Sequence, residues 1–322
     1  MFDPSDLKLI SEPAWTAESP GMAVGCIAYS PDGSQVAFSS TPNEMVVKNV
    51  INGEDIQTLQ QSVTSHPLIS CFFHPIEEDF LFTIYKDGHM FLYDTQTNEV
   101  LKTSRHLGSN ISCADVDPFG EIFAIACSDG SIRIYDIEYM QRTTALVKIS
   151  GHTGNAQSNQ IFDLIFNPDD SNILLSAVGN DKVMIWDRRT GNSERAISGP
   201  HIRGRGLAMY NNTITTASSR QVKQLEVWDF NTTRRLKDIQ ICGSPNCVAV
   251  AKNGVDMIVG MNDSTVGLAY DAEKYNFIGS TQPLKSNPSY AAVSPIGTTM
   301  VIGSEQGIIH CYNVKLIGNV YL

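Results

Sequence analysis

Short segments in which apolar and polar residues alternate recur from one end of the chain to the other. Residues 132–136 read Ile-Arg-Ile-Tyr-Asp, whereas residues 26–29, Cys-Ile-Ala-Tyr, form a short apolar run. A period of two is typical of β-strands with one face in a core, and short apolar runs are typical of strands buried on both faces. No helical period interrupts these segments. The pattern therefore predicts an all-β fold.

Clusters of Pro, Asn, Asp and Gly separate the strand-like segments. They lie at residues 30–33, 117–120, 167–170, 252–254 and 294–297. Pro presets φ, and Gly accepts the positive φ that a tight reversal requires. We therefore expect hairpin-linked units of four antiparallel strands.

A dipeptide, usually an aromatic residue followed by Asp, closes the third strand of each unit. It occurs as Lys48-Asn49, Tyr93-Asp94, Tyr135-Asp136, Trp186-Asp187, Trp228-Asp229, Tyr270-Asp271 and Tyr312-Asn313. Successive second positions are 45, 42, 51, 42, 42 and 42 residues apart. A repeat of about 40–45 residues is typical of propeller arrays. Because a propeller grows by adding blades, we expect a single domain over residues 1–322, with repeat units at approximately 23–314.

The units resemble the WD-repeat family, and seven of them resemble a closed seven-bladed β-propeller of four-stranded antiparallel blades. The resemblance covers nearly the whole chain. It implies a disc with a central channel, in which a terminal strand completes the last blade. The candidate for that strand is residues 7–11, with the tail at 315–322 as the alternative. The stretch 199–230 is also similar to a subgroup of eukaryotic WD-repeat proteins, which implies a eukaryotic source.

The resemblance also implies a hydrogen-bonded set of His, Ser or Thr, Asp and Trp inside a blade. The matching positions are His66, Thr83, Asp87 and Tyr93 in the second unit, and His152, Ser176, Asn180 and Trp186 in the fourth. The third unit keeps His106, Asp129 and Tyr135 but has Ile125 at the hydroxyl position. Buried polar groups are normally hydrogen-bonded, and a satisfied network rigidifies its surroundings. We therefore interpret these residues as structural rather than catalytic.

The composition, with 42% hydrophobic and 18% charged residues, is that of a soluble globular protein. The formal net charge is −11, which disfavours direct binding of nucleic acid, because that binding requires clustered Lys and Arg. The first residues show no basic segment before an apolar core, and no run approaches the ~20 apolar residues that cross a bilayer. We expect no membrane association and a cytoplasmic or nuclear location.

The sequence contains no strong signal for a metal, a cofactor or catalysis. Of seven Cys, four recur on the first strands of different units, which indicates packing: Cys26, Cys71, Cys113 and Cys247. Cys242 and Cys247 lack a second pair of ligands, so we expect no metal site and no cofactor. Sequence signatures of serine hydrolases, phosphate-binding loops and zinc proteases are absent. We therefore expect a non-enzymatic protein, with an enzyme active in the channel as the remote alternative.

These observations favour a protein-interaction scaffold or recruiting subunit, monomeric within a larger complex, that binds a peptide or loop on one propeller face. Arg203, Arg205 and Arg220 are the proposed anchors, since Arg binds carboxylate and phosphate groups bidentately. The alternative is that these Arg pair with the protein's own Asp and Glu. Further candidates on the same face are Lys86, Arg105, Asn159, Asn246 and Tyr290.

Residues 186–189, Trp-Asp-Arg-Arg, support a second hypothesis. They are similar to the Trp-Asp-x-Arg signature of WD-repeat substrate receptors for cullin-4 ubiquitin ligases. By that resemblance, Asp187 and Arg189 would contact the ligase adaptor. The structural alternative is a surface ion pair of small energetic value.

Overall fold

The computed structural model describes residues 10, 12–19, 22–146, 160–241 and 243–314. Within these residues the chain forms 28 strands in seven four-stranded antiparallel sheets. Each sheet is one blade of a propeller, and we label its strands a to d from the central channel outward. The expected all-β, seven-bladed β-propeller is confirmed.

Six blades consist of four strands that are consecutive in sequence, whereas the seventh combines strands from both ends of the described chain. The strands are β1 (Trp15–Glu18), β2 (Ile27–Tyr29), β3 (Gln35–Thr41), β4 (Glu44–Asn49), β5 (Asp55–Gln60), β6 (Leu68–Phe73), β7 (Phe80–Tyr85), β8 (His89–Asp94), β9 (Glu99–Arg105), β10 (Ile111–Val116), β11 (Ile122–Cys127), β12 (Ile132–Asp136), β13 (Arg142–Leu146), β14 (Ile161–Asn167), β15 (Asp170–Val178), β16 (Lys182–Asp187), β17 (Asn192–Ser198), β18 (Leu207–Tyr210), β19 (Thr213–Ala217), β20 (Leu225–Asp229), β21 (Arg235–Ile239), β22 (Pro245–Val250), β23 (Asp256–Met261), β24 (Gly267–Asp271), β25 (Phe277–Ser280), β26 (Pro288–Val293), β27 (Thr299–Ser304) and β28 (Ile308–Asn313). Blades 1 to 6 are β2–β5, β6–β9, β10–β13, β14–β17, β18–β21 and β22–β25, and blade 7 is β26, β27, β28 and β1.

Burial decreases from the b strands to the rim and explains the composition of the strands. Every residue of β11, a b strand with the sequence Ile-Phe-Ala-Ile-Ala-Cys, is buried. In β9, the d strand of blade 2, six of seven residues are exposed, and its sequence is mostly polar. The b strands are packed on both faces by neighbouring blades, so they need continuous apolar sequence, whereas the outer strands border water.

The core lies between successive blades rather than inside each one. Between blades 2 and 3, for example, the ring centroids of Phe72 and Phe82 in blade 2 each lie 6.0 Å from that of Phe123 in blade 3. In the same cluster, Phe123 and Tyr135 are stacked at 5.2 Å. Large aromatic residues therefore join one blade to the next.

Blade 1 forms a complete sheet although Lys48 occupies the position at which the other units have an aromatic residue. The Lys48 side chain is 13% exposed and pairs with Asp55. Its ammonium also donates a hydrogen bond to the Gly53 carbonyl at 3.0 Å. Local pairing thus accommodates this departure from the repeat.

The strand that completes blade 7 is β1, which pairs antiparallel with β28 in the register Trp15 to Cys311. Residues 7–11, which we expected at this place, lie outside the described part of the chain except for Ile10. Contacts of Trp15 with blade 1 hold β1 at the edge of blade 7. The Trp15 ring covers Gly53, and its Nε1 donates a hydrogen bond to the Val50 carbonyl at 2.8 Å. The alternative strand at 315–322 also lies outside the described residues.

The disc has two distinct faces. The loop face carries the connections between blades and the turns between strands b and c, and the turn face carries the a–b and c–d turns. In the part of the chain that the structure describes, no helix has the length and apolar character needed to cross a membrane.

Candidate partner-binding site on the loop face

The inner strands of six blades each contribute one residue at the same structural position near the loop-face end of the channel. In five blades this position is a β-bulge, at Ile69, Ser112, Phe162, Asn246 and Ser289. In blade 5 the hydrogen bond from Ala217 N to Gly206 O places Arg205 at the equivalent position. Because bulges redirect side chains, the residue at this position determines which side chain borders the channel.

Arg205 extends across the channel from blade 5. Its guanidinium donates to Asp163 Oδ1 of blade 4 at 3.3 Å and to the Ile69 carbonyl of blade 2 at 2.8 Å. The guanidinium carbon lies 5.7 Å from the ring centroid of Tyr290 in blade 7. The side chain is only 16% exposed. The structure thus brings Arg205 and Tyr290 together in the channel. The Arg205 side chain, which we call the channel plug, pairs with the protein's own Asp163.

Two buried carboxyl groups of inner strands connect neighbouring blades. Asp163 accepts a hydrogen bond from Leu207 N of blade 5 at 2.9 Å, and Asp115 accepts one from Phe166 N of blade 4 at 2.7 Å. Burial raises the pKa of Asp163, and Arg205 partly offsets this increase. Burial raises the pKa of Asp115 to about 7. Neither residue is among the candidates predicted from the sequence, although an acid within an apolar inner strand was the available signal.

The other two predicted Arg anchors differ in their surroundings. Arg203 is exposed, with its guanidinium carbon 4.9 Å from the Phe162 ring centroid. Arg220 pairs with Asp181 Oδ2 at 3.2 Å, and the other oxygen of Asp181 lies 2.6 Å from His201 Nδ1. Partial burial alone would raise the pKa of Asp181, but hydrogen bonds from His201 and then Arg220 lower it below its usual value. Arg203 is therefore the anchor with the most accessible charge.

The remaining candidates are spread over the loop face. Lys86, in the b–c turn of blade 2, and Arg105, at the end of β9, are exposed. Asn246 donates from Nδ2 to the Pro288 carbonyl at 3.3 Å and thereby joins blades 6 and 7. Asn159 lies outside the described residues. Of this set, Lys86 is the exposed cation that borders a cavity.

Two cavities open side by side at this face. One has a volume of about 270 Å³ and is bordered by blade 1 and by Arg205. The other has a volume of about 590 Å³ and reaches Lys86 and Gln160. The two share three lining residues, Pro67, Ile69 and Ser112. Together they form one elongated groove, which we call the loop-face groove.

Comparison with known proteins identifies the repeated unit. Residues 98–136 and 144–187 match the family model described as WD domain, G-beta repeat. Both matched segments end at the last residue of a c strand, at Asp136 and Asp187. These two segments of the chain are therefore similar to WD repeats.

Relatives of this chain include proteins that are named for their WD repeats. WD repeat-containing protein 1 of Xenopus tropicalis is 22% identical over 91% of this chain and 47% of its own length. Its Bos taurus counterpart is 29% identical over 55% of this chain and 26% of its own length. The chain thus spans about half the length, or less, of these relatives.

A solved structure shares the whole fold. One chain in a crystal structure of a mitotic checkpoint complex superposes with a TM-score of 0.81, at 16% identity, over 98% of this chain and 95% of its own. At this identity the likeness establishes the fold alone. Propellers of the WD-repeat family are generally protein-interaction scaffolds.

The hydrogen-bonded set inside the WD repeats is partly formed in blade 4. Trp186 Nε1 donates to Ser176 Oγ at 2.9 Å, and His152 lies outside the described residues. Asn180 Oδ1 is buried without a hydrogen-bond partner in the described part of the chain. Blade 5 has a Trp–hydroxyl pair that the sequence mapping did not include, Trp228 Nε1 to Thr216 Oγ1 at 3.1 Å.

In blade 2 the closest contacts of Asp87 come from residues outside the mapped set. Asp87 Oδ2 lies 2.6 Å from His89 Nδ1 and accepts a hydrogen bond from Thr64 Oγ1 at 3.1 Å. His66 Nδ1 is 3.6 Å away, and its side chain is 55% exposed. His89 is closer because it begins the strand that immediately follows the Asp87 turn. The other two mapped members are buried, Thr83 and Tyr93.

In blade 3 the mapped residues are connected through an arginine. His106 Nδ1 lies 2.8 Å from the Tyr135 hydroxyl. Asp129 pairs with Arg133 at 2.9 Å, and the same guanidinium contacts the His106 ring. The charged side chain therefore bridges Asp129 and His106.

Asp187 and Arg189 form an ion pair at the c–d turn of blade 4, on the turn face. Arg189 donates from Nε to Asp187 Oδ1 at 3.0 Å and from its terminal nitrogen to Oδ2 at 2.6 Å. The hydrogen bond from Arg189 is the main reason that the pKa of Asp187 is lowered. The Arg189 side chain is nevertheless 65% exposed.

Cysteine and metal chemistry is not evident in the described residues. The described thiols are free and buried at Cys26, Cys71, Cys113, Cys127, Cys247 and Cys311. Cys113 and Cys247 are equivalent, but Ser70 occupies their position in blade 2, so the expectation that Cys71 matches them was wrong by one residue. No group of three His, Cys, Asp or Glu in the ranges given above is arranged to hold a metal ion.

Proposed function

We propose that this WD-repeat propeller is a non-enzymatic scaffold whose loop-face groove binds a peptide or a loop of a partner protein. The observation that carries the proposal is the connection of the two cavities through Pro67, Ile69 and Ser112. An elongated groove on a rigid face suits an extended chain, because loops on a fixed scaffold can vary to fit a partner.

The charges around the groove favour acidic residues in the partner. Lys86 lines the groove, and Arg203 is exposed beside Phe162. Arg203 also reaches the carbonyl of Gly179, whose N–H bonds to the carbonyl of the groove residue Gln160. The nearby acids Asp87 and Asp181 already have cationic or hydrogen-bonding partners. The charged residues that line the groove itself, Lys86 and Arg205, are both cationic, and Arg binds carboxylates well.

Arg205 supports the groove instead of acting as a free anchor. It lines the smaller cavity and is held by Asp163 and Ile69. A partner would then lie across the loop-face opening of the channel, because the Arg205 side chain blocks the channel below that opening. This arrangement revises the role of Arg205. Of the other two predicted anchors, Arg220 pairs with Asp181 and Arg203 remains exposed, so we propose Arg203 together with the further candidate Lys86 as the anchors.

Affinity purification of the tagged chain from its native cells, followed by mass spectrometry, tests the proposal. The key variant is Arg203→Ala/Lys86→Ala. Its matched control is Arg234→Ala/Lys274→Ala, which removes two exposed cations from the turn face. We expect a defined partner that the control retains and the key variant loses. Equal recovery of every partner by both variants would refute the groove assignment.

A ligase substrate receptor is the second candidate. It is favoured by the 65% exposure of Arg189, whose guanidinium is held in a fixed orientation by Asp187. The measurement is co-purification of the cullin-4 adaptor with Arg189→Ala, using Arg188→Ala as the control. Adaptor recovery that does not depend on Arg189 would exclude this role for the pair.

A further inference from the structure

The turn face presents four apolar side chains to solvent at the tips of its a–b turns. Ile76, Phe119, Val255 and Ile296 are 64%, 52%, 53% and 55% exposed. They belong to blades 2, 3, 6 and 7 and surround the same opening of the channel. Single exposed apolar residues are ordinary, but several around one opening indicate an interaction surface.

Contacts between adjacent turns make this surface rigid. His74 Nδ1 accepts hydrogen bonds from the backbone N–H groups of Ile76 and Glu77 at 3.2 and 2.9 Å. Its Nε2 lies 2.9 Å from the Gly120 carbonyl in the next turn, beside Phe119. One imidazole therefore holds the Ile76 and Phe119 tips next to each other. A preorganised surface loses less entropy when a partner binds.

Further contacts extend the rigid surface around the disc. Gly254 has φ +71°, and a Cβ there would collide with the Tyr210 ring of the neighbouring blade. In the same way, Gly33 lies against the Ile296 side chain, and Gly297 lies against Asn253. The a–b turns of these blades thus pack side against side.

A cavity of about 390 Å³ opens between the turns of blades 2 to 6. Three prolines line it together with three acidic residues and one cation: Pro75, Pro118, Pro168, Asp115, Asp117, Asp169 and Lys252. This volume accommodates one or two side chains. Long cationic side chains are suited to such a site, since their stems are apolar and their heads seek carboxylates.

The charge of the a–b turns is strongly one-sided. The acidic residues of these turns are Asp32, Glu77, Glu78, Asp79, Asp117, Glu121 and Asp169, against a single Lys252. Asp117 is buried and caps its own turn, where it accepts hydrogen bonds from Glu121 N and Ile122 N. Glu77, Glu78 and Glu121 are exposed next to the Ile76 and Phe119 tips. An acidic partner would be repelled from this surface.

We propose that the a–b turns of the turn face form a second docking surface, which binds a basic segment of a partner protein containing aliphatic or aromatic anchors. The anchors pack on the Ile76 and Phe119 tips, and a Lys or Arg of the segment enters the cavity toward Asp115. The partner's remaining cations face Glu77, Glu78 and Glu121. This surface lies opposite the loop-face groove and does not depend on the function proposed for that groove.

Selection from a phage-displayed library of random 12-residue peptides on the immobilised full chain tests the proposal. Recovered peptides are synthesised with a fluorescent label, and their affinities are measured by anisotropy at about 0.15 M salt, where exposed charges beyond ~8 Å are screened. Two variants probe the surface, Ile76→Ser/Phe119→Ser and Glu77→Gln/Glu78→Gln. Matched controls on the loop face are Val63→Ser/Leu107→Ser and Glu44→Gln/Glu305→Gln.

We expect a consensus that combines Lys or Arg with apolar residues. Its affinity should fall at least about tenfold in Ile76→Ser/Phe119→Ser, as for apolar anchors at an interface centre. The loss in Glu77→Gln/Glu78→Gln should be about threefold to tenfold, and each control should stay within about twofold. A selection without basic peptides, or losses as large in the controls, would overturn the proposal. Acidic peptides lost only in Arg203→Ala/Lys86→Ala would support the loop-face groove, and recovery of such peptides without any basic ones would overturn the turn-face surface.

Discussion

Replacing Arg205 with Met tests whether the channel plug stabilises the propeller. Met keeps much of the apolar volume but removes the hydrogen bonds to Asp163 and the Ile69 carbonyl. Loss of one member of a buried ion pair costs about 3–5 kcal/mol, because the other charge remains buried without its partner. Asp163 keeps the hydrogen bond from Leu207 N, so we expect the lower end, a loss of about 3 kcal/mol in the free energy of unfolding.

The loss should depend on pH. Burial already raises the pKa of Asp163, and removal of Arg205 should raise it further. A carboxyl whose folded pKa exceeds its unfolded pKa destabilises the folded state as pH rises through that interval. The Arg205→Met loss should therefore be larger at pH 8 than at pH 5. Urea unfolding monitored by Trp fluorescence at both pH values measures it.

A double-mutant cycle separates the ion pair from simple packing. Addition of Asp163→Asn removes the buried charge, so the double variant should lose at least about 1 kcal/mol less than the sum of the single variants. Arg203→Met, two residues away and exposed, is the matched control, with an expected change within about 0.5 kcal/mol. Additive losses that do not vary with pH would refute the plug as a charge-paired element.

Three further changes test individual contacts. Asp115→Asn should raise the free energy of unfolding at pH 8 by up to about 4 kcal/mol but hardly at pH 4. The reason is that the pKa of Asp115 is raised to about 7, and each pKa unit corresponds to about 1.4 kcal/mol. Urea titrations at the two pH values measure this effect, and equal changes at both would contradict it. Gly120→Ala should lower the free energy of unfolding by about 2–3 kcal/mol, because φ is +73° and the new Cβ meets the His74 ring. Gly191→Ala, with φ +71° and open space around the new Cβ, should lower it by about 1 kcal/mol. Similar losses in the two variants would refute the turn contact. Trp15→Ala should cost about 2–3 kcal/mol and lower the melting temperature by detaching the blade 7 outer strand; an unchanged melting temperature would exclude Trp15 as its anchor.

The repeated dipeptide and the turn residues were sufficient to predict the fold, because the spacing of seven units constrains the architecture more than any single strand does. The closing strand was harder to locate. β1 is four residues long, and Ala17 is its one buried residue, so alternation gives almost no signal there. Its place depends on Trp15 covering Gly53 in another blade, a contact that local sequence does not encode.

The candidate site was predicted less well than the fold. Arg203 and Arg205 are close in sequence, but the inner-strand geometry directs Arg205 into the channel while Arg203 remains exposed. Alignment of Arg205 with the bulge residues Ser112 and Asn246 would have revealed the difference, but the bulge is a feature of strand pairing rather than of composition. Which acid pairs with which cation is likewise decided by distances between blades.

The blade 7 sheet has a consequence for the order of events during synthesis. All other strand pairs join neighbours in sequence, whereas the pairing of Trp15 with Cys311 joins residues 296 positions apart. At about 5–20 residues per second, β1 waits roughly 15–60 s for its partner strand to be made. Blades 1 to 6 can form one after another in that interval, but ring closure is possible only after β28 has emerged. Closure of the ring, rather than formation of any blade, is then the step at which a nascent chain is most exposed to pairing with the wrong strand.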